Sequence, residues 1–213
     1  MTDLLKRDEC VRQAIVSIVD TLQLMDQELS HYPFDLQKTE ITQAILQRMK
    51  TYYMTQNRIK SMLQKKYATA GADFFVETVL FFLRLVLRTN KSDLAVYSER
   101  QIRPTKNSIR PDISIWRADK VVAIIECKTQ LGWDRIHWEA NFNERKRKLN
   151  DEFPEANAYL LVMTGSNWRG FGESEYLGQN YFCLLQDIWP VDYHSADQIL
   201  TPIESLFSIL LQQ

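Results

Sequence analysis

Asp112 follows Pro111 and leads into the apolar run Ile113-Ser114-Ile115-Trp116, while Glu126-Cys127-Lys128 closes a second run that begins at Val121. Side chains alternate along a strand, so Val121, Ala123, Ile125 and Cys127 are expected on one face, and Val122, Ile124, Glu126 and Lys128 on the other. If the two runs pair as a hairpin, Asp112 approaches Glu126. Two carboxylates and an ammonium at the end of an otherwise apolar hairpin suit phosphodiester hydrolysis with a divalent metal. Mg²⁺, for which Mn²⁺ can substitute, keeps several waters, so one or two carboxylates plus a substrate phosphate suffice to hold it. It supplies Lewis acidity and lowers the pKa of its water. Asp112 and Glu126 are the expected ligands, and Lys128 is expected to orient the attacking water and offset charge on the phosphate. The plainer alternative is a salt bridge among the three at a sheet edge.

Pro111-Asp112 followed by Glu126-Cys127-Lys128 at the end of a hydrophobic strand resembles the bipartite signature of the PD-(D/E)XK nucleases, the restriction-endonuclease-like superfamily. The stretch from Arg110 to Lys128 is also similar to the nuclease segment of type I restriction motor subunits. The resemblance implies a core of helix, three strands, helix and further strand. It also implies the backbone carbonyl of Cys127 as a third metal ligand, and an acidic residue on the first core helix facing the metal. Glu77 fits that last place, because it interrupts the apolar helix Asp73 to Leu87. A buried carboxylate is costly unless paired or metal-bound, so the alternative for Glu77 is an internal ion pair with Arg84 or another arginine.

Contacts to phosphate come from arginine and lysine side chains. Arg100, Arg103, Lys106 and Arg110 surround the link into Asp112, Gln130 shares the face of Lys128, and Trp133 and Arg135 lie just beyond the motif strand. Arg84 belongs to the same set of candidate DNA contacts. Arg145 to Lys148 reads as a solvated face between Glu144 and Asp151. The loop Gly165 to Gly172 lacks the Lys-Ser/Thr of a phosphate loop, although Asn167 and Arg169 are suited to base edges. His31, His137 and His194 are isolated, which gives no support to a histidine metal site, and no Gly-x-Ser-x-Gly elbow is present.

These residues must be positioned by an α/β fold, a restriction-endonuclease-like core in which a mixed sheet is flanked by helices in the order αβββαβ. The periodicities predict a helical arm over 1–70 and the core, with a C-terminal helix, over 71–213. In the arm, Val11, Ile15, Ile18, Val19, Leu22 and Leu29 mark one amphipathic helix and Ile41, Ile45, Met49, Tyr52, Ile59 and Leu63 another. The second stripe mixes Ile, Met and Tyr and contains Gln56, which favours an antiparallel hairpin over a coiled-coil dimer. Asp73 to Leu87 is expected to be buried on most sides. The segment Arg135 to Phe153 should be helical, its apolar side being Ile136, Ala140, Phe142 and Leu149. Thr201-Pro202-Ile203-Glu204 reads as a capping box opening the last helix.

The net charge is −1, so no global field draws the chain to nucleic acid, which favours an enzyme with a local basic cleft over a DNA coat protein. Three cysteines, far apart and without a Cys-x-x-Cys pair, exclude a zinc ribbon and point to reduced thiols. With no signal-peptide segment and no apolar run long enough to span a bilayer, a cytoplasmic protein without membrane contact is expected. The leading expectation is a Mg²⁺-dependent endonuclease cutting double-stranded DNA, resembling a type II restriction enzyme. A homodimer would suit palindromic sites. A structure-specific repair or junction nuclease and a non-catalytic nuclease-like scaffold are the alternatives.

Overall fold

The computed structural model describes residues 3–106, 108–131, 135–166 and 175–213, with the side chains of 3 and 135–137 left aside. Five strands form one mixed sheet: β1 (Leu94–Ser98), β2 (Ile113–Arg117), β3 (Lys120–Lys128), β4 (Asn157–Thr164) and β5 (Tyr181–Leu185), in the spatial order β1-β2-β3-β4-β5. The first three form an antiparallel meander, and β4 and β5 continue parallel to β3. Strands β3, β4 and β5 are near-continuous apolar runs because both of their faces are covered.

On one face lie α2 (Glu40–Met62), α3 (Ala72–Thr89) and α5 (Ile203–Leu211), sharing a core that includes Ile45, Met49, Phe75, Leu83, Ile113, Ile125 and Phe207. On the other face lies α4 (Arg135–Glu152), whose Phe142 and Leu149 pack over Trp116, Ile124, Leu160 and Tyr181. The element order after α2 is α3, β1, β2, β3, α4, β4, β5, α5.

One irregularity sets the face on which Glu126 stands. The tight turn at Ala118 and Asp119 pairs Arg117 with Lys120 and Trp116 with Val121, but Ile115 then pairs with Ala123, leaving Val122 as the extra residue of a β-bulge. Consequently Val121 joins the α4-side core, whereas Val122 and Ala123 both pack on the α3 side, which corrects the expected alternation at its start. Beyond the bulge the alternation holds: Ala123, Ile125 and Cys127 face α3, and Ile124 faces α4. A one-residue slip exchanges the two faces of a strand. The bulge therefore turns Glu126 toward α4 and, by continuing the register from Ile113 opposite Ile125, brings Asp112 opposite it.

Several sequence expectations are corrected by the packing. Among the described residues, the first helix, α1 (Asp3–Glu28), makes no extended contact with α2, meeting it at Met25 and Arg48. Only its C-terminal end docks: Met25 and Leu29 pack on the core, and Arg88 of α3 clamps Asp26 with guanidinium–carboxylate hydrogen bonds of 2.9 Å. The α2 half of the expected 1–70 arm shares one core with α3 and α5. The helix α3 is buried on most sides, as expected, with Asp73, Glu77, Arg84 and Arg88 forming its exposed stripe. Ala140 is exposed on α4, not part of its apolar side. The capping box at Thr201 does not form: the Thr201 hydroxyl bonds the backbone of Cys183, accepting from N–H at 2.8 Å and donating to C=O at 2.7 Å. The buried Glu204 carboxylate instead caps α2, accepting from the N–H groups of Ile41 at 2.7 Å and Thr42 at 3.0 Å and from the Thr42 hydroxyl.

Candidate active site at the ends of β2 and β3

Pro111 is buried ahead of β2 and Asp112 is half-buried beside it. One carboxylate oxygen of Asp112 accepts a 2.7 Å hydrogen bond from the Cys127 N–H and lies 3.3 Å from the Lys128 ammonium. That backbone bond fixes Asp112 across the hairpin at the residue between Glu126 and Lys128. Glu126 itself is buried, with its side chain 4 % exposed, and has Lys128 Nζ at 3.7 Å. The trio expected from the sequence is thus brought together at one end of the sheet.

A fourth member comes from the basic run that reads in sequence as a solvated face. Arg145 of α4 donates from Nη1 to Glu126 Oε1 at 2.7 Å, and the same nitrogen lies 3.3 Å from the Arg110 carbonyl. Its place is encoded in the helix period: Trp138, Phe142, Arg145 and Leu149 recur at spacings of four and three, one inward stripe. An arginine in register with two core residues faces the sheet, whereas its neighbours Arg147 and Lys148 form surface pairs with Glu144 at 2.8 and 3.4 Å.

Burial is the largest influence on Glu126 and the adjacent Asp112 charge the next, together raising its pKa from 4.5 to about 7 against the opposing pull of Arg145 and Lys128. A carboxyl with this value is poised between its two forms at neutral pH. The Cys127 thiol faces the other side of the sheet, where burial and the Asp112 charge push its pKa well up, so its sulfur stays protonated and only its backbone is available to the site.

A cleft of about 680 Å³ opens beside these groups, lined among others by Arg110, Glu126, Lys128, Asn141, Arg145 and Lys148. Arg110, Lys128, Arg145 and Lys148 give it a cationic side, and Leu131, Trp138, Phe142 and Leu160 an apolar wall. Among the described residues no cluster of three His, Cys, Asp or Glu side chains is present. The oxygen donors available are the carboxylates of Asp112 and Glu126 with nearby carbonyls. Hard oxygens, one of them on a buried carboxylate destabilised by its neighbour's charge, fit a small divalent cation better than a soft metal.

The remaining expected residues fall elsewhere. Glu77 is exposed and lines a different groove, between α1, α3 and β1, together with Arg84. The apolar helix around it predicts burial, but it belongs to the solvent stripe of α3, and among the described residues no ion pair joins it to Arg84. Gln130 is half-buried just past β3. Arg103 is tied to Glu152 at 3.0 Å, Lys106 is exposed in the link, and Arg100 stacks over the Trp116 ring at 4.0 Å. Trp133, Asn167, Arg169 and the side chains of Arg135 and His137 lie outside the described residues. Among the described residues, no helix is long and apolar enough to cross a membrane. Neither a family model nor a curated protein matches the chain.

Proposed function

We propose that the protein is a metal-dependent nuclease of the restriction-endonuclease-like type, hydrolysing phosphodiester bonds of DNA at the Asp112–Glu126–Lys128 site. The observation that carries the reading is the convergence of those three side chains across two strands, with Glu126 buried beside Asp112 and a cation-lined cleft in front of them. Further support comes from the order of helix, antiparallel three-stranded meander, helix and parallel strand, the order implied by the resemblance of Pro111-Asp112 and Glu126-Cys127-Lys128 to that superfamily.

Asp112 and Glu126, with the Cys127 carbonyl as the resemblance implies, would hold Mg²⁺ or Mn²⁺. When bound, the ion supplies Lewis acidity toward the phosphate and a more acidic water. The chain's own groups do the rest. Asp112 is oriented by the Cys127 N–H. The Lys128 ammonium, 45 % exposed and within 3.7 Å of both carboxylates, lies where it can orient a water and offset phosphate charge. Arg145 holds Glu126 in place from the far side and, being 39 % exposed, can also reach a phosphate in the cleft.

The test is cleavage of plasmid, single-stranded and branched DNA in Mg²⁺ or Mn²⁺ by the wild type, Asp112→Asn and Lys128→Ala. The expected result is ion-dependent cutting by the wild type alone. A fully active Lys128→Ala enzyme would refute the assignment of the site. Preference for the branched substrate would identify a junction or repair enzyme, and cutting of intact plasmid a restriction-type one.

A further inference from the structure

We infer that α1 is a dimerisation element whose free half pairs antiparallel with the same segment of a second copy of the chain. From residue 4 to residue 18 the helix is exposed apart from half-buried Glu9, and Val19 borders the groove between α1, α3 and β1. Yet Leu4, Leu5, Val11, Ile15, Val16, Ile18 and Val19 are apolar and between 48 % and 74 % exposed. In proteins most helical stability comes from packing an amphipathic face rather than from propensity. The segment therefore calls for a partner.

The pattern favours a second copy. Val11, Ile15, Ile18, Leu22, Met25 and Leu29 recur at alternating spacings of four and three, the seam of a helix-on-helix contact. The C-terminal end of this seam packs on the chain's own core through Met25 and Leu29, and its N-terminal end is free. At roughly 100 Å² of removable area for each exposed side chain, the four on the seam, Leu4, Val11, Ile15 and Ile18, present on the order of 400 Å². That lies within the ~300–600 Å² of the largest, often functional, patch on a typical monomer and below the ~800 Å² per partner of a stable interface, so the pairing is a weak, concentration-dependent one.

Charge and geometry set the direction. Asp8 lies in the seam, and Arg12, one turn on, pairs with it at 3.4 Å within the helix. In a parallel pairing Asp8 would face Asp8. In an antiparallel pairing with its two-fold axis near Glu9 and Cys10, Leu4 of one copy lies opposite Ile15 of the other. Asp8 of each copy then lies opposite Val11 of its mate, with Arg12 of the mate beside it. Because α1 joins the body at its C-terminal end, this arrangement also places the two bodies at opposite ends of the helix pair, free of collision.

Analytical ultracentrifugation of the full chain tests the pairing. The wild type is expected to approach twice the chain mass as concentration rises, and Val11→Glu/Ile15→Glu to stay at the chain mass with the circular dichroism of the body retained. Asp8→Arg should weaken the dimer, and Asp8→Arg/Arg12→Asp should restore it. In a Cys10→Ser background, Leu4→Cys/Ile15→Cys should oxidise to a covalent dimer while neither single cysteine does. A wild type monomeric at every concentration would overturn the proposal and leave the stripe to a different protein or a lipid surface. Efficient cross-linking through Leu4→Cys alone would overturn the antiparallel arrangement, and failure of the double charge exchange would overturn the register. None of these readouts depends on nuclease activity.

Discussion

Replacing Glu126 by glutamine removes a charge that the fold disfavours while keeping the side chain's size, and this makes the site measurable without any substrate. The Glu126 pKa rises from 4.5 to about 7 on folding. A carboxyl whose pKa is raised in the folded state contributes stability that is fully present below the unfolded value and lost as pH climbs through the folded one. At about 1.4 kcal/mol per unit of pKa difference, the ionised form therefore costs about 3 kcal/mol by pH 8. The amide in Glu126→Gln never ionises and escapes that cost. In urea denaturation with chelator present, the stability of Glu126→Gln relative to wild type should thus increase by about 3 kcal/mol between pH 4.5 and pH 8. Any fixed difference from the amide's own hydrogen bonds is present at both pH values and cancels. With saturating Mn²⁺ at pH 8 the order should reverse, since only the carboxylate binds the ion well. A relative gain for wild type as pH rises, in chelator, would refute the reasoning. It would mean that Arg145 and Lys128 outweigh desolvation and the Asp112 charge.

Other substitutions separate the site from its surroundings. Glu77→Ala should leave ion-dependent cleavage unchanged in initial-rate assays, because Glu77 lies in the groove beneath α1 and not beside Glu126. Arg145→Ala removes a group that lowers the Glu126 pKa, so the pH midpoint of Mn²⁺ binding, read by calorimetry, should move upward relative to wild type. Glu204→Ala should destabilise the protein by about 3 kcal/mol in urea titrations, since it strands two buried N–H donors of α2 and the Thr42 hydroxyl.

How much of this was legible in the sequence differs from one element to the next. The motif strands, the helix between β3 and β4 and the final helix were readable from their apolar spacings, although Val122 and Ala140 depart from the expected faces. The trio at the hairpin end was readable because acidic residues terminating apolar strands have few bland explanations. The β-bulge at Val122 was not readable, because Lys-Val-Val-Ala-Ile carries no glycine or other local signal of an extra residue. It nevertheless decides which face Glu126 occupies. Glu77 misled because its position inside an apolar run suggested burial, whereas its spacing from Asp73, Arg84 and Arg88 already traced an exposed stripe. Arg145 was hidden inside a basic run whose average character is surface, although its phase between Phe142 and Leu149 marks it as inward. Thr201 and Glu204 matched a local rule that lost to tertiary competition, since Glu204 finds two donors at the N-terminus of α2.

The charges gathered at Glu126 also make metal and nucleic acid binding interdependent under the proposed function. With Glu126 ionised, Asp112 and Glu126 are matched by Lys128 and Arg145, so the site is close to neutral before any ligand arrives. A divalent ion added there leaves an excess of two positive charges in a half-buried cleft, where screening by solvent is weak. A phosphodiester entering the cleft supplies negative charge and offers Lys128 and Arg145 a new partner as the carboxylates turn to the ion. Each ligand should therefore strengthen the other by the same factor, as linkage requires. The measurement is Mn²⁺ affinity of the full chain with and without a non-cleavable phosphorothioate oligonucleotide, paired with oligonucleotide affinity with and without Mn²⁺. A coupling of about tenfold, equivalent to about 1.4 kcal/mol, is expected in both directions. It should shrink in Arg145→Ala, where one of the displaced cations is missing. Equal Mn²⁺ affinity with and without the oligonucleotide would mean that the cations around Glu126 do not exchange partners. Lys128 and Arg145 would then be structural counter-ions alone.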